Sequence, residues 1–479
     1  MSESEKVNRR GFLKYAATTV GGLIVGGVIG HLLAPRAPAE ISTVMVTEVK
    51  TTTKTVTQTV SPTPTAPPAA IRILGTEGPV PPAVEKNINK FGEVANADVT
   101  YESFPWTGFH EKGTMSLTLP GKGMYDAVVI NCDWCFPAWH EYLEPLDEYV
   151  KRDNFDTSDF LPNAIKHFCM WPKGMKVKPT GLEEGELLGL PHLSDAMFFV
   201  IRKDLLEKAG CRLPTMDDPY TLEEFKEVCK KLSNPPEIYG LGFYHQEEGG
   251  MPDTWTALYF AIGGEKARWF NEDLTAAINN EYAKQAAEFL KDFYDEGITP
   301  LYQIEQAWGW LEENFKAGKL AAIHSWGLGA LSLKDPSYNP LWDKTELVLP
   351  PVGPTGTPLT YYAGWSWGIP KNAPNKELAW EFLKWITAPE QQEAHAIQCP
   401  PTRISVLNKL GKEREYYNWL RWVAERARVL PAIPQLLEVN RIVFTQLTRY
   451  WRGEIDVDTA FETAEDEINS LMRRLGYIS

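Results

Sequence analysis

The chain is 479 residues long, 43% hydrophobic and 23% charged, enough for two or three domains with sizeable cores. Its formal net charge of −15 excludes a nucleic-acid partner, because phosphates need a basic surface that releases counterions. A core absorbs most of the 17 Trp, and any left over offer flat apolar faces, each with one N–H donor.

Residues 1–36 form a targeting segment rather than part of the fold. "NRRGFLKYAA" places Arg9 and Arg10 before Phe12, Leu13 and Lys14, which resembles a twin-arginine export signal, with Asn8 where Ser or Thr is usual. Tyr15 to Ala34 carry no Asp, Glu, Lys or Arg, so the stretch serves either as an export segment or, at ~1.5 Å per residue, as a span just long enough to anchor the chain in a bilayer. Residues 37–70 follow as a Thr- and Pro-rich stalk. Its Ile41 to Ala70 portion has no aromatic and no glycine, cannot bury enough surface to fold, and can reach on the order of 90 Å. A stalk is most useful with a fixed base, so the expectation is an extracytoplasmic protein tethered through residues 15–34.

From Ile71 short apolar runs alternate with amphipathic helices. "IRIL" reads as a strand, "PPAVEKNINKFGE" as a helix opened by prolines, "ADVTYES" as a strand, "HEKGTMSLTL" as a helix and "YDAVVIN" as a buried strand. This alternation predicts an α/β fold with a mainly parallel sheet, whose ligands sit beyond the carboxyl ends of the strands. The loops "GTEGPV" and "NCDWCF" fall at those ends. The second contains a Cys-x-x-C pair, Cys132 and Cys135, open to four readings: a redox couple, half a zinc site, a small disulfide loop, or two cysteines sharing a loop with something else. Zinc needs about four clustered ligands. The eight histidines contain no HExxH, and Cys132, Cys135, His140, His167 and Cys169 meet only if the fold brings them together. No metal and no cofactor are expected. Outside the cytoplasm a disulfide is permitted, and Cys211 with Cys229 is one candidate bridge.

Further on, "FKAGKLAAIHSWG" reads as a helix ending near Gly318 and a strand reaching Ser325 and Trp326 at a loop. "NAPNKELAWEFLKWITAPEQQ" places Leu378, Phe382, Leu383 and Ile386 at helical spacing, a packing face. Taken in order, "YDAVVINCDWCFPAWHEYLEPLDEYV", "LLGLPHLSDAMFFVIRKDLLEKAGCRLP", "YTLEEFKEVCKKL", "ENFKAGKLAAIHSWG", "YYAGWSWGIPKNAPNKELAWEFLKWITAPEQQ" and "PPTRISV" resemble the extracellular solute-binding proteins of ABC importers, in the sugar- and maltose-binding branch, over Ile71 to Ser479.

The resemblance implies a two-lobed periplasmic-binding-protein fold of type II, with the ligand held between lobes. Residues 71–193 completed by 365–402 would form the N-terminal lobe, and 194–364 completed by 403–479 the C-terminal lobe. It also implies capture of a small-molecule solute, a carbohydrate, and delivery to permease subunits of an ABC transporter, with no chemistry on the ligand. Sugar sites combine carboxylates with aromatic platforms. Matching segments gives Glu77, Trp106, Asp133, Trp134, Asp195, Trp255, Trp326, Trp365 and Arg403 as candidate ligand contacts, with Asp195 and Trp365 at the two crossings between lobes and Arg403 a possible clamp. Trp367, Trp380 and Trp385 read as packing, and His192 and His324 as loop or core histidines. Two alternatives remain. One is a binding protein for a polyamine, a phosphorylated polyol or a peptide; the acidic balance suits a polyamine, while no Arg or Lys cluster suits phosphate. The other is an exported glycoside hydrolase using Asp133 and Asp195, but hydrolysis needs two carboxyl groups about 5 to 9.5 Å apart around one bond, and nothing in the sequence singles out such a pair.

Overall fold

The computed structural model describes residues 69–77, 82–245, 251–306, 309–426 and 428–479. The expected signal or anchor and the stalk up to residue 68 lie outside the described residues. Ala69 and Ala70, two residues before the expected boundary, already pair with the neighbouring strand.

Three strands, β1 (Ala69–Thr76), β2 (Ala97–Phe104) and β3 (Ala127–Asn131), run parallel with β1 central, connected by helices α1 (Pro82–Ala95) and α2 (Trp106–Thr118). β3 reads AVVIN with every residue buried, as expected of a strand covered on both faces. Helix α3 (Cys135–Trp139) follows, and a two-stranded ribbon, β4 (Met170–Trp171) with β5 (Glu186–Leu187), stands apart from the main sheet.

β6 (Leu190–Arg202) is 13 residues long and buried throughout. Its first half pairs with β10 (Tyr362–Gly368) and its second half with β8 (Ala322–Trp326) and β9 (Thr345–Val348), so one strand belongs to both lobes. β7 (Gly242–Phe243) runs parallel to β8 at the far edge, and the order is β2-β1-β3-β10-β6-β8-β7. The sheet is therefore mixed rather than mainly parallel. β10 is antiparallel to both β3 and β6, since a chain that crosses between lobes and returns must reverse direction.

The second lobe contains α4 (Asp253–Gly263), α5 (Glu281–Asp295), α6 (Trp310–Lys316) and α7 (Gly327–Ser332). Asn280 caps α5 by accepting the amides of Tyr282 and Ala283. Returning through β10, the chain forms α8 (Lys376–Ile386), capped by Asn375, with Phe382, Leu383 and Ile386 buried as their spacing predicts. Trp380 is buried with its indole N–H on Asp153, and Trp367 meets the edge of Phe382.

Helices α9 (Ile404–Leu410) and α10 (Tyr416–Glu425) lie beside the first lobe, not the second, where a boundary at 403 puts them. Asp159 accepts the amide of Ser405 at 2.9 Å, and Asn163 donates to the Ala424 carbonyl at 2.8 Å. The packing against the second lobe comes later, from α11 (Leu436–Trp451) and α12 (Val457–Arg474): Trp451 donates to Ala287 of α5 at 2.9 Å.

A ligand cleft between two lobes

The end of β3 builds one wall of a cleft. Asn131 Oδ1 accepts the amides of Asp133 and Trp134 at 2.9 and 3.0 Å, a side-chain turn that halts the strand and starts α3. Asp133 is thereby turned inward and buried. Tyr361 Oη donates to its Oδ2 at 2.7 Å, and His167 Nε2 lies 3.2 Å from its Oδ1. His167 is held in turn by Nδ1, which must donate to the Gly181 carbonyl at 2.8 Å because a carbonyl only accepts. Burial, with the charges of Asp133 and Asp253, pushes the Tyr361 hydroxyl well above its ordinary range, so it stays a donor.

The opposite wall comes from the end of β8. Trp326 donates its indole N–H to Asp253 Oδ2 at 2.9 Å, and its ring meets Tyr361 in a T-shaped contact at 5.0 Å. Asp253 stands at the first position of α4. Asp195, midway along β6, accepts the amides of Ala196 and Leu328 on Oδ1 at 3.0 and 3.2 Å, and that of Gly327 as well, so it ties the crossing strand to the start of α7. A Cβ on Gly327 would stand 2.8 Å from that same oxygen, so a side chain there would have to displace the Asp195 carboxylate. Burial raises both carboxyl groups to about 7. In Asp195 the backbone amides oppose the rise and the charge of Asp253 adds to it. In Asp253 the Trp326 N–H opposes it and Asp133 adds to it.

These groups enclose about 760 Å³ of empty space, the open mouth included. Glu77, Trp134 and Trp365 join the lining, with Met251, Leu328, Ala363 and Gly364. Gly364 lets the second crossing lie close against its neighbours, since a Cβ there would meet the Phe168 ring at 2.3 Å and the Leu193 carbonyl at 2.4 Å.

Residues 76–393 match the family of bacterial extracellular solute-binding proteins. The chain belongs to that family. It is 23% identical over 381 residues to the mannitol-binding protein of Pseudomonas aeruginosa, covering 74% of this chain and 80% of that one. Among solved structures, maltose-bound T. maritima MalE3 superposes with a TM-score of 0.72 at 22% identity, covering 84% of this chain and all of the other. A solute-binding protein from Agrobacterium vitis S4 with bound D-mannitol gives 0.69 at 21%, covering 85% and 99%. These likenesses share the two-lobed fold.

Of the contacts expected for a solute-binding protein here, the structure brings together Glu77, Asp133, Trp134, Asp195, Trp326 and Trp365. It does not bring Trp255 to the cleft: the indole is fully buried, donates to Ala283 at 2.9 Å and stacks on Tyr259. The reason is that α4 is buried on every side and has no cleft-facing stripe at that position. Arg403 is also elsewhere. Its guanidinium donates to the Thr387 carbonyl at 2.6 Å and to Asp159 at 3.3 Å, and lies over the Phe160 ring, fastening the return of the chain. The Trp106 side chain lies outside the described residues. Asn131, Asp253 and Tyr361 were not expected. Tyr361 is four residues before Trp365, and the period of two along an extended chain puts both on one face.

All six cysteines are free thiols, so neither candidate bridge forms. Cys132 and Cys135 are buried and burial raises both thiols above their ordinary range, the opposite of a reactive thiolate. Cys132, Asp133 and His167 bring ligand atoms within 4.8 Å of one another, one ligand short of a closed zinc site. Each of those atoms has a protein partner, Cys132 Sγ taking the Gly364 amide at 3.2 Å. The pair thus frames Asp133 and Trp134. Changing both cysteines to Ser, whose hydroxyl still accepts from Gly364, is expected to leave solute affinity within about tenfold, roughly 1.4 kcal/mol, by isothermal calorimetry. Loss of all binding, or stoichiometric zinc in the purified protein, contradicts the passenger reading. His192 and His324 are core residues, each pushed by burial down to about 3.

Proposed function

We propose that this protein captures a sugar or polyol outside the cytoplasm and hands it to the permease of an ABC transporter, without chemistry on the solute. The observation that carries the reading is the pairing of carboxylates with indoles from opposite lobes around one cavity: Asp133 and Trp365 on one side, Asp253 and Trp326 on the other. Carboxylates accept from hydroxyls, and indole faces pack on the C–H faces of a sugar. Family membership and the ligands of similar proteins, mannitol and maltose, support the same class. Glu77, Asp133, Trp134, Asp195, Trp326 and Trp365 are the proposed contacts, with Asp253 and Tyr361 added, and the lobes turn about β6 and β10 near Asp195 and Gly364.

A panel of sugars and polyols in thermal-shift assays tests this, because a ligand that binds only the native state raises the midpoint. A true solute also shrinks the molecule in solution scattering as the lobes close. A chain that answers to no member of the panel refutes the reading.

Export through the folded-protein route and tethering through residues 15–34 belong to the same proposal. Replacing Arg9 and Arg10 together by Lys is expected to leave precursor in the cytoplasm, detected by fractionation. Unimpaired export refutes the signal, and a mature N-terminus at Glu40 refutes the tether alone.

A further inference from the structure

The lining of the cleft carries four carboxylates, Glu77, Asp133, Asp195 and Asp253, and among the described residues no Lys, Arg or His. The stretches of the folded chain outside the description, 78–81, 246–250, 307–308 and 427, contain no Lys or Arg in sequence. The lining therefore supplies no cation of its own, and the imidazole of His167, 3.2 Å behind Asp133 Oδ1, touches neither Asp195 nor Asp253 by any hydrogen bond among the described residues.

Two of the carboxylates are also buried with no charged partner among the described residues. Asp195 is 5% exposed and Asp253 4%. Among the described residues Asp253 takes its hydrogen bond on Oδ2 alone, which leaves Oδ1 open in a residue that lines the cavity, while Asp195 is met by the backbone amides of Ala196, Leu328 and Gly327 and by no side-chain donor. Asp133, by contrast, has a partner on both oxygens. A buried carboxylate with an open lone pair costs free energy until something donates to it. A hydroxyl donates but leaves the charge uncompensated. An ammonium donates and neutralises, and charge-assisted bonds are about twice as strong as neutral ones. The surrounding rings of Trp326 and Tyr361 add to this, since an aromatic face attracts a cation. Burial first, and then the charge of Asp253 on Asp195 and of Asp133 on Asp253, raises Asp195 and Asp253 to about 7, and the repulsive part is relieved by the same charge.

We propose that the preferred solute is a cationic carbohydrate, an amino sugar or amino polyol whose protonated amine is received by Asp195 and Asp253 while its C–H face rests on the indoles. The inference rests on the carbohydrate reading above and narrows it.

Isothermal calorimetry on the full-length protein separates the two. The probes are D-glucosamine, N-acetyl-D-glucosamine and D-glucose, the matching β-1,4-linked disaccharides, mannitol with its 1-amino analogue, and spermidine. Within the scaffold that binds, the amine is expected to bind at least tenfold more tightly than its neutral congeners. Asp253→Asn keeps an oxygen for the Trp326 N–H but removes the charge, and is expected to cut that preference ratio at least fivefold, with the thermal midpoint reporting that the variant is folded. Neutral sugars or mannitol bound as tightly as the amines overturn the cationic class and leave the carbohydrate reading standing. A response to spermidine alone, or to none of the probes, overturns both.

Discussion

Trp326→Ala is expected to weaken solute binding at least tenfold, and Asp133→Ala to do the same, with both variants still folded. Truncating a buried aromatic anchor commonly costs more than ~2 kcal/mol, about thirtyfold. Trp326 is such an anchor: it is 9% exposed, fixed by its bond to Asp253 and braced edge-on against Tyr361, so its position needs no ordering when solute arrives. Removing it also takes the hydrogen bond from Asp253. Asp133→Ala strips the partner from Tyr361 Oη and from His167 Nε2 as well as from the solute, and each buried polar group left unpaired costs about 1 to 3 kcal/mol. Calorimetry gives the affinities and denaturation midpoints give the fold. Trp326→Phe separates the two functions of the indole, keeping a ring face while losing the N–H, and is expected to fall between wild type and Ala. Binding unchanged in both Ala variants would falsify this cleft as the solute site.

Which parts of the site could be read in the sequence depended on whether local pattern fixed a residue's direction. Asp133 follows the apolar run of β3 and Trp326 ends the strand β8, so each is placed by its own segment, whereas Asp195 is placed at a crossing between lobes only by the family resemblance. Asp253 is placed by neither. It follows a Gly-rich stretch with no alternation to orient it, and only its bond to Trp326, 73 residues away, shows its role. Adjacent tyrosines pose a similar problem: Tyr361 donates to Asp133 while Tyr362 bonds Ser194, and only the alternation that Tyr361 shares with Trp365 says which points to the cleft. Trp255 misleads in the opposite sense. The match of segments offers it as a contact, yet DTWTALYFAIG is buried all round, and burial by distant elements leaves no trace in the segment itself. Arg403 likewise answers to Asp159, which lies in a different part of the chain. Strand order was legible only where the chain turns back locally. β1, β2 and β3 come out parallel as their alternation implies, whereas the antiparallel course of β10 is set by the crossing and not by its own residues.

The contribution of Asp253 to the stability of the empty protein is expected to fall as pH rises from about 4 to about 8, and Asp253→Asn is expected to remove that fall. An aspartate in the unfolded chain ionises near 3.9. Asp253 in the folded protein ionises near 7, because burial disfavours its charge, Trp326 only partly compensates and Asp133 repels it. Between those values the folded state holds a proton that the unfolded state has released. The contribution of Asp253 is thus fully present below about pH 4 and lost as pH rises through about 7. A shift of about three units corresponds to on the order of 4 kcal/mol, and Asp195, raised to about 7 by burial and by Asp253, acts in the same direction. Urea denaturation of wild type and variant at pH 4.5, 6 and 8 measures the difference directly, and other titrating groups, common to both, largely cancel. The stability of Asp253→Asn relative to wild type should rise by a few kcal/mol across that range. Parallel curves would mean that Asp253 ionises as it does in water, and they would remove the electrostatic ground for a positively charged solute even if neutral sugars still bind.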